Sequence, residues 1–307
     1  MKIFDAHSDV LYKMYLDRKI NFKDSPKLHI TYDQLKHSKA KVQSFALYVP
    51  ENELNRAFEV TIEMIDIFYQ KILKNFPKMR LVTSQEDIQN LKDDEIGAML
   101  SLEGCEAIGI SLEKLRTFYR LGVTSIGLTW NHANLVGDGV LEKRNAGLTS
   151  FGKEVVIQNN LANVWTDVSH LSETGFWEVM DIGEMVIASH SNVKLLCDHP
   201  RNLSDEQINA IIKKDGVIGI TFVPQFLVQH GKATITDALK HLEHICSLGG
   251  EKHVGFGSDF DGIDETVVGL ENYSKYSDLI NMLQKYYSET QVNNFLFNNF
   301  VRKYHKQ

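Results

Sequence analysis

Strand-period and helix-period segments alternate along the whole chain, which predicts an α/β protein: a (β/α)8 TIM-like barrel over residues 1–307, one domain with a C-terminal helical end. Two further observations support that class. A length of 307 residues suits one closed barrel, and only five prolines interrupt it, with no linker-like stretch. Residues able to bind cations stand where successive apolar runs end, the face on which a parallel barrel gathers remote side chains.

The first run is KIFDAHSD (2–9), and KVQSFALYVP (41–50) supplies the second. Leu54, Phe58, Ile62, Ile65, Tyr69 and Ile72 then recur at three- and four-residue steps, so a helix burying that face is expected. IGAMLSLEG (96–104) is the third strand. SLEKLRTFYRLG (111–122) starts on a serine, carries Leu112, Leu115 and Phe118 on one face, and stops at Gly122. VTSIGLTW (123–130) is the fourth strand, and Ser150 reads as the N-cap of a helix reaching Leu161. NVWTDVSH (163–170) and EMVIASH (184–190) follow as strands five and six. Ser204 and Gln207 have capping-box spacing ahead of Ile208, Ile211 and Ile212, and VIGITFV (217–223) is strand seven. A helix at 234–248 leads to strand eight, within HVGFGSDFDG (253–262).

Composition narrows the function classes. Hydrophobic residues at 43% and charged residues at 24% match folded soluble proteins, and no apolar run approaches the length of a membrane span. A net charge of -7 offers no basic patch for phosphate backbones, so neither nucleic acid nor a membrane is an expected partner. Met1 to Asp5 carry none of the regions of a secretory signal, which makes a cytoplasmic location the expectation. Cys105, Cys197 and Cys246 are odd in number and scattered, as reduced thiols are.

His7 and Asp9 lie two apart at a strand end and project the same way, so an imidazole and a carboxylate can grip one cation. A lone HxD triplet is commonly incidental; the barrel context gives this one weight. Glu103 emerges from the apolar stretch 99–102, where an unpaired charge is costly. A structural salt bridge would satisfy it, but a carboxylate also has two oxygens with which to bridge two cations. His170 and His190 each follow an apolar run and a serine, a pairing that can complete a second metal position or serve as hydrogen-bonded structural imidazoles. All five donors are nitrogen or oxygen, which fits two zinc ions and leaves manganese, iron or cobalt open.

Asp259 sits in a glycine-rich turn, where it can act as general acid and base, whereas Asp261 reads as turn chemistry. Ile263 and Phe260 rule out a calcium loop and a dinucleotide fingerprint there. His241 and His244 lack the HExxH pattern and are expected at the surface. Ser150 and Lys153 have SxxK spacing without the SDN or KTG elements of a serine hydrolase.

Taken together, DAHSD (5–9), LEG (102–104), LTWNHAN (128–134), DVSH (167–170), SHSN (189–192), DHPRN (198–202) and VGFGSDFDG (254–262) resemble the membrane (renal-type) dipeptidase family. These are zinc peptidases of the metal-dependent hydrolase superfamily, and the resemblance covers nearly the whole chain. It implies that His7 and Asp9 hold one zinc, His170 and His190 the other, and that Glu103 bridges them. It further implies Arg201 as the group that binds the substrate carboxylate in a two-pronged way, and Asp259 as the catalytic aspartate. Animal members place a substrate-binding histidine directly after Leu-Thr; Trp130 stands there in this chain, so the role falls to His132. The secretion signal, lipid anchor and disulfides of animal members have no counterpart.

The expected function is zinc-dependent hydrolysis of dipeptides, extending to those with a C-terminal D-residue. A water activated between the zinc ions would attack, and Asp259 would pass its proton to the leaving amine. A dipeptide is the expected partner, and a homodimer is left open. The alternatives are hydrolysis of another amide, a lactone or a phosphoester on the same binuclear barrel, or a homologue that holds metal without turnover.

Overall fold

The computed structural model describes residues 1–304. Its strands are β1 (Ile3–Asp5), β2 (Ala40–Tyr48), β3 (Met79–Leu81), β4 (Ile96–Glu103), β5 (Val123–Gly127), β6 (Trp165–Asp167), β7 (Val186–Ala188), β8 (Val217–Ile220) and β9 (Val254–Phe256). They run in the order β2-β1-β9-β8-β7-β6-β5-β4-β3, and a pairing of β2 with β4 closes eight of them into a parallel barrel. The expected (β/α)8 fold is present. β3 is an addition outside the ring: Met79 lies opposite Ile96 at the start of β4, and β5 takes over that edge from Leu100 onward. Three residues are too few to show a strand period, so β3 left no signal in the sequence.

Two layers of core hold the barrel. The larger lies between strands and helices. The smaller takes Phe4, Val42, Met99, Trp165, Ile187 and Val217 from six strands and packs them against Phe300 and Tyr304 of the C-terminal segment. Trp165 and Val217 are the first residues of their strands, so this cluster fills the end of the barrel where strands begin. The end where they finish is left for the site.

Local signals decide where the helices start. Ser111 accepts a hydrogen bond from the Lys114 N–H, Gly122 turns the chain at φ 92°, and the Ser204/Gln207 capping box forms as expected. The helix Ser150–Leu161 is capped by Thr149, not Ser150, because Thr149 has the extended backbone of a cap and its hydroxyl accepts from the Gly152 N–H at 3.0 Å. The stripe expected to run from Leu54 to Ile72 loses its first member. Residues 51–56 form a 3-10 turn that leaves Leu54 48% exposed, and the helix begins at Ala57. Ile65 and Ile72 are buried as expected, Val60, Met64 and Phe68 join them in the core, and Phe58, Ile62 and Tyr69 pack on its flank. His241 departs furthest from expectation, being fully buried: its Nδ1 accepts from the Val193 N–H at 2.9 Å and its Nε2 donates to the Leu227 carbonyl at 3.0 Å.

Candidate metal centre

The site is assembled where the strands end. Buried Asp5, the last residue of β1, accepts from the Ser258 N–H at 2.8 Å and the Ser258 hydroxyl at 2.6 Å, which ties β1 to the turn after β9. Burial pushes its carboxyl up to about 6 against those hydrogen bonds. His7 and Asp9 follow directly. Glu103 ends β4, and Gly104 takes the left-handed conformation, φ 86°, that turns the chain away behind it. His170, after β6, is itself left-handed at φ 68°, held by the Val140 N–H donating to its carbonyl at 2.7 Å. His190 comes one residue after Ser189, whose carbonyl lies 2.0 and 1.9 Å from where a Cβ on Gly219 or Gly257 would sit. Only glycine lets β8 and β9 close against it there.

These donors meet. His7 Nε2 lies 3.5 Å from Asp9 Oδ2, 3.5 Å from Glu103 Oε2 and 3.8 Å from Asp259 Oδ1. His170 Nε2 lies 3.1 Å, and His190 Nε2 3.7 Å, from Glu103 Oε1. The two carboxylate oxygens of Glu103 therefore face different histidines, which is the arrangement a bridging ligand needs.

The proton inventory favours a cation over a hydrogen-bond network. His170 Nδ1 lies 2.8 Å from Asn131 Oδ1, an acceptor, so Nδ1 carries the proton. Ser189 Oγ donates its one hydrogen to Asp167 Oδ2 and so accepts from His190 Nδ1 at 2.7 Å. Both Nε2 atoms then present lone pairs to each other across 3.0 Å, with a Glu103 oxygen beside them. His7 Nε2, also buried, has no hydrogen-bond partner. The converging lone pairs of His170 and His190 repel unless a metal ion stands between them, and the nitrogen and oxygen set suits zinc. The residues present fit such an ion.

Protein groups alone perturb one another strongly. Burial would raise Glu103, but His7 and His170 reverse this and hold its carboxyl below the usual carboxylate range. Burial drives His170 down to about 3, with the charge of Arg201 adding to it, and drives His190 well below the ordinary imidazole value. Asp259 goes the other way: burial, joined by the charges of Asp9 and Glu103, pushes it up to about 8 despite His7.

A cavity of about 570 Å³ opens over these groups, walled by Tyr48, Trp130, Asn131, Phe226 and Ile263 among others, with Asp259 and Arg201 also lining it. Arg201 is buried; one terminal nitrogen donates to the His190 carbonyl at 3.1 Å, Nε is unpartnered, and the Phe226 ring lies 5.5 Å away. His132 is not brought to the cavity. It is 58% exposed and stands 3.8 Å from both Glu51 and Glu142, because the backbone after Trp130 turns it outward. Asp261 anchors more than its own turn, accepting from the His29 and Ile30 N–H groups at 2.7 and 3.1 Å. Sequence reasoning assigned no role to Asn131 and Asp167, which orient two of the imidazoles; the only available signal was their place inside the motifs LTWNHAN and DVSH.

A closed parallel barrel whose strand ends bring three imidazoles and three carboxylates around one cavity defines a metal-dependent hydrolase. The sequence matches the family described as Membrane dipeptidase (Peptidase family M19) over residues 1–306, and the chain belongs to that family of metallo-dipeptidases. An uncharacterized dipeptidase of Schizosaccharomyces pombe is 31% identical over 308 residues, spanning 91% of this chain and 73% of that protein. An uncharacterized Klebsiella pneumoniae protein from the pqqA 5' region is 34% identical over 262 residues, 80% of this chain and 94% of its own. Among solved structures, a Rhodobacter sphaeroides metallopeptidase liganded with a phosphinate mimic of the dipeptide L-Ala-D-Ala matches with a TM-score of 0.93 at 25% identity, covering 99% of this chain and 98% of that one. Despite the family's name, no helix among the described residues is long and apolar enough to cross a membrane.

Proposed function

We propose that this metallo-dipeptidase is a binuclear zinc enzyme that hydrolyses free dipeptides, including those with a C-terminal D-residue. The observation that carries the reading is a buried, half-unpartnered guanidinium, Arg201, sharing one cavity with Glu103 and Asp259. His7 and Asp9 would hold one ion, His170 and His190 the other, with Glu103 between them. Zinc bound there supplies Lewis acidity and an acidified water.

The protein's own groups do the rest. Arg201 receives the substrate's terminal carboxylate, which limits the substrate to a length that reaches from the guanidinium to Glu103. Asp259, 3.8 Å from His7 Nε2 and lining the cavity, is placed to take a proton from the attacking water and return it to the departing amine. Tyr48, Trp130, Phe226 and Ile263 give the substrate apolar walls to pack against. The extension to a C-terminal D-residue rests on the ligand of the Rhodobacter sphaeroides relative. A cytoplasmic location goes with three unpaired cysteines.

The test is hydrolysis of L-Ala-L-Ala and L-Ala-D-Ala by the purified protein, with metal content measured in parallel. Chelation should abolish turnover and zinc should restore it. Asp259→Asn should cost on the order of 100- to 10,000-fold in kcat with zinc retained. Full activity in that variant refutes the proton role, and turnover of lactones or phosphoesters but not dipeptides refutes the substrate class.

A further inference from the structure

We propose that Asn131 has two functions, positioning His170 through its carbonyl oxygen and donating from its amide NH2 to the carbonyl oxygen of the substrate's peptide bond. The inference rests on the dipeptidase reading for its second half only.

His170 determines which way the Asn131 amide faces. Its Nε2 converges with His190 Nε2 at 3.0 Å and Glu103 Oε1 at 3.1 Å, so the lone pair belongs on Nε2 and the proton on Nδ1. Asn131 Oδ1 accepts that proton at 2.8 Å. This choice settles the orientation of the Asn131 amide, because the oxygen is committed to His170 and the NH2 is turned to the other side. No described residue accepts from that NH2 group, and Asn131 lines the same cavity as Glu103, Asp259 and Arg201. Two uncharged donors thus stand unused on the cavity wall beside His170.

The backbone holds Asn131 in place. The Leu141 N–H donates to the Asn131 carbonyl at 2.9 Å, and the Gly139 N–H donates to the His132 carbonyl at 3.2 Å. A Cβ on Gly139 would lie 2.2 Å from the Trp130 carbonyl oxygen and 2.4 Å from the Asn131 carbonyl carbon, so only glycine permits this approach. Val140, between them, donates to the His170 carbonyl at 2.7 Å. One short segment, 139–141, therefore clamps Asn131 and His170 together, and the same clamp turns His132 to solvent. A donor fixed before substrate arrives needs no reorganisation as charge develops on the carbonyl oxygen.

Two variants separate the functions. Asn131→Asp keeps an acceptor for His170 and removes both donors; Asn131→Ala removes everything. Titrating the metal-free proteins with zinc alone should give Asn131→Asp the parent's affinity and Asn131→Ala an affinity lower on the order of 10- to 100-fold. With zinc saturating, dipeptide hydrolysis by Asn131→Asp should fall on the order of 100-fold in kcat. Parent-like zinc affinity in Asn131→Ala overturns the positioning half. A kcat in Asn131→Asp within about threefold of the parent overturns the donor half, as does a loss confined to KM, which is the repulsion a new carboxylate exerts on the substrate's own. A parent protein that hydrolyses no dipeptide sinks the dipeptidase reading, and the zinc titration still decides the positioning half.

Discussion

His170 and His190 each depend on one neighbour for the tautomer that leaves Nε2 free. His190 is the clearest case: Ser189 stands between it and Asp167, accepting from Nδ1 and donating to the carboxylate, while Asp167 Oδ1 also takes the Ser169 and Ser189 N–H groups at 3.0 and 2.9 Å. Ser189→Ala removes that relay without touching a ligand. Zinc affinity, read by competition with a chelator, is expected to drop on the order of 10-fold, with the fold unchanged by circular dichroism. An unchanged affinity would show that packing alone orients the ring. The five ligand-type residues were legible in the sequence because a strand end announces itself by its apolar run. Asn131, Asp167 and Ser189 were not, since a residue that acts through another's second nitrogen carries no spacing of its own. His132 misled for the same reason: one position along a tight loop separates a side chain in the cavity from one in solvent.

At the scale of elements, the segment after β5 does for the site what a helix cannot, because it must touch two loops at once. Asp138 fastens its start. It is buried, receives Arg144 Nε at 2.9 Å and one terminal nitrogen at 2.6 Å, and also takes the Ala146 N–H at 2.8 Å. The hydrogen bond from Arg144, foremost, holds its carboxyl below the usual range. A depressed folded-state value means that the ionised form is favoured by folding. The resulting stability is complete above the unfolded carboxyl's value near about 4 and is lost as pH falls through the folded one. Asp138→Asn is therefore expected to melt at lower temperature than the parent at pH 7, with the gap narrowing as pH drops below about 4. A gap independent of pH, by scanning fluorimetry, would mean that the side chain matters only for its shape. Helix starts such as Ser111 and Ser204 could be read from the sequence because a cap is a local bargain between one side chain and its own backbone. The exposure of Leu54 could not, since apolar spacing alone does not show that a 3-10 turn over residues 51–56 takes it off the helix that begins at Ala57.

For the molecule as a whole, the barrel has one working end and one sealed end, and the two are separable. Phe300 stacks on Phe4 at 5.2 Å and 15°, lies 6.1 Å from Trp165, and presses on Gly255, where a Cβ would come within 2.7 Å of its ring. Alternation of strand and helix was enough to infer a closed barrel and a helical C-terminus, but nothing in NNFLFNNFVRKY says that this helix plugs the interior. That is a property of closure, visible only when Phe4, Trp165 and Val217 from distant strands share one hollow. Phe300→Ala should empty it and cost about 3–5 kcal/mol of unfolding free energy in a denaturant titration. The proposed ligands lie at or beyond the far ends of the same strands, and none of them belongs to the cluster that Phe300 packs against. At a temperature where the variant is still folded, its kcat and zinc affinity should match the parent's. Loss of zinc in the folded variant would show instead that the plug sets the spacing of the strand ends, and that sealing and catalysis are one structural property.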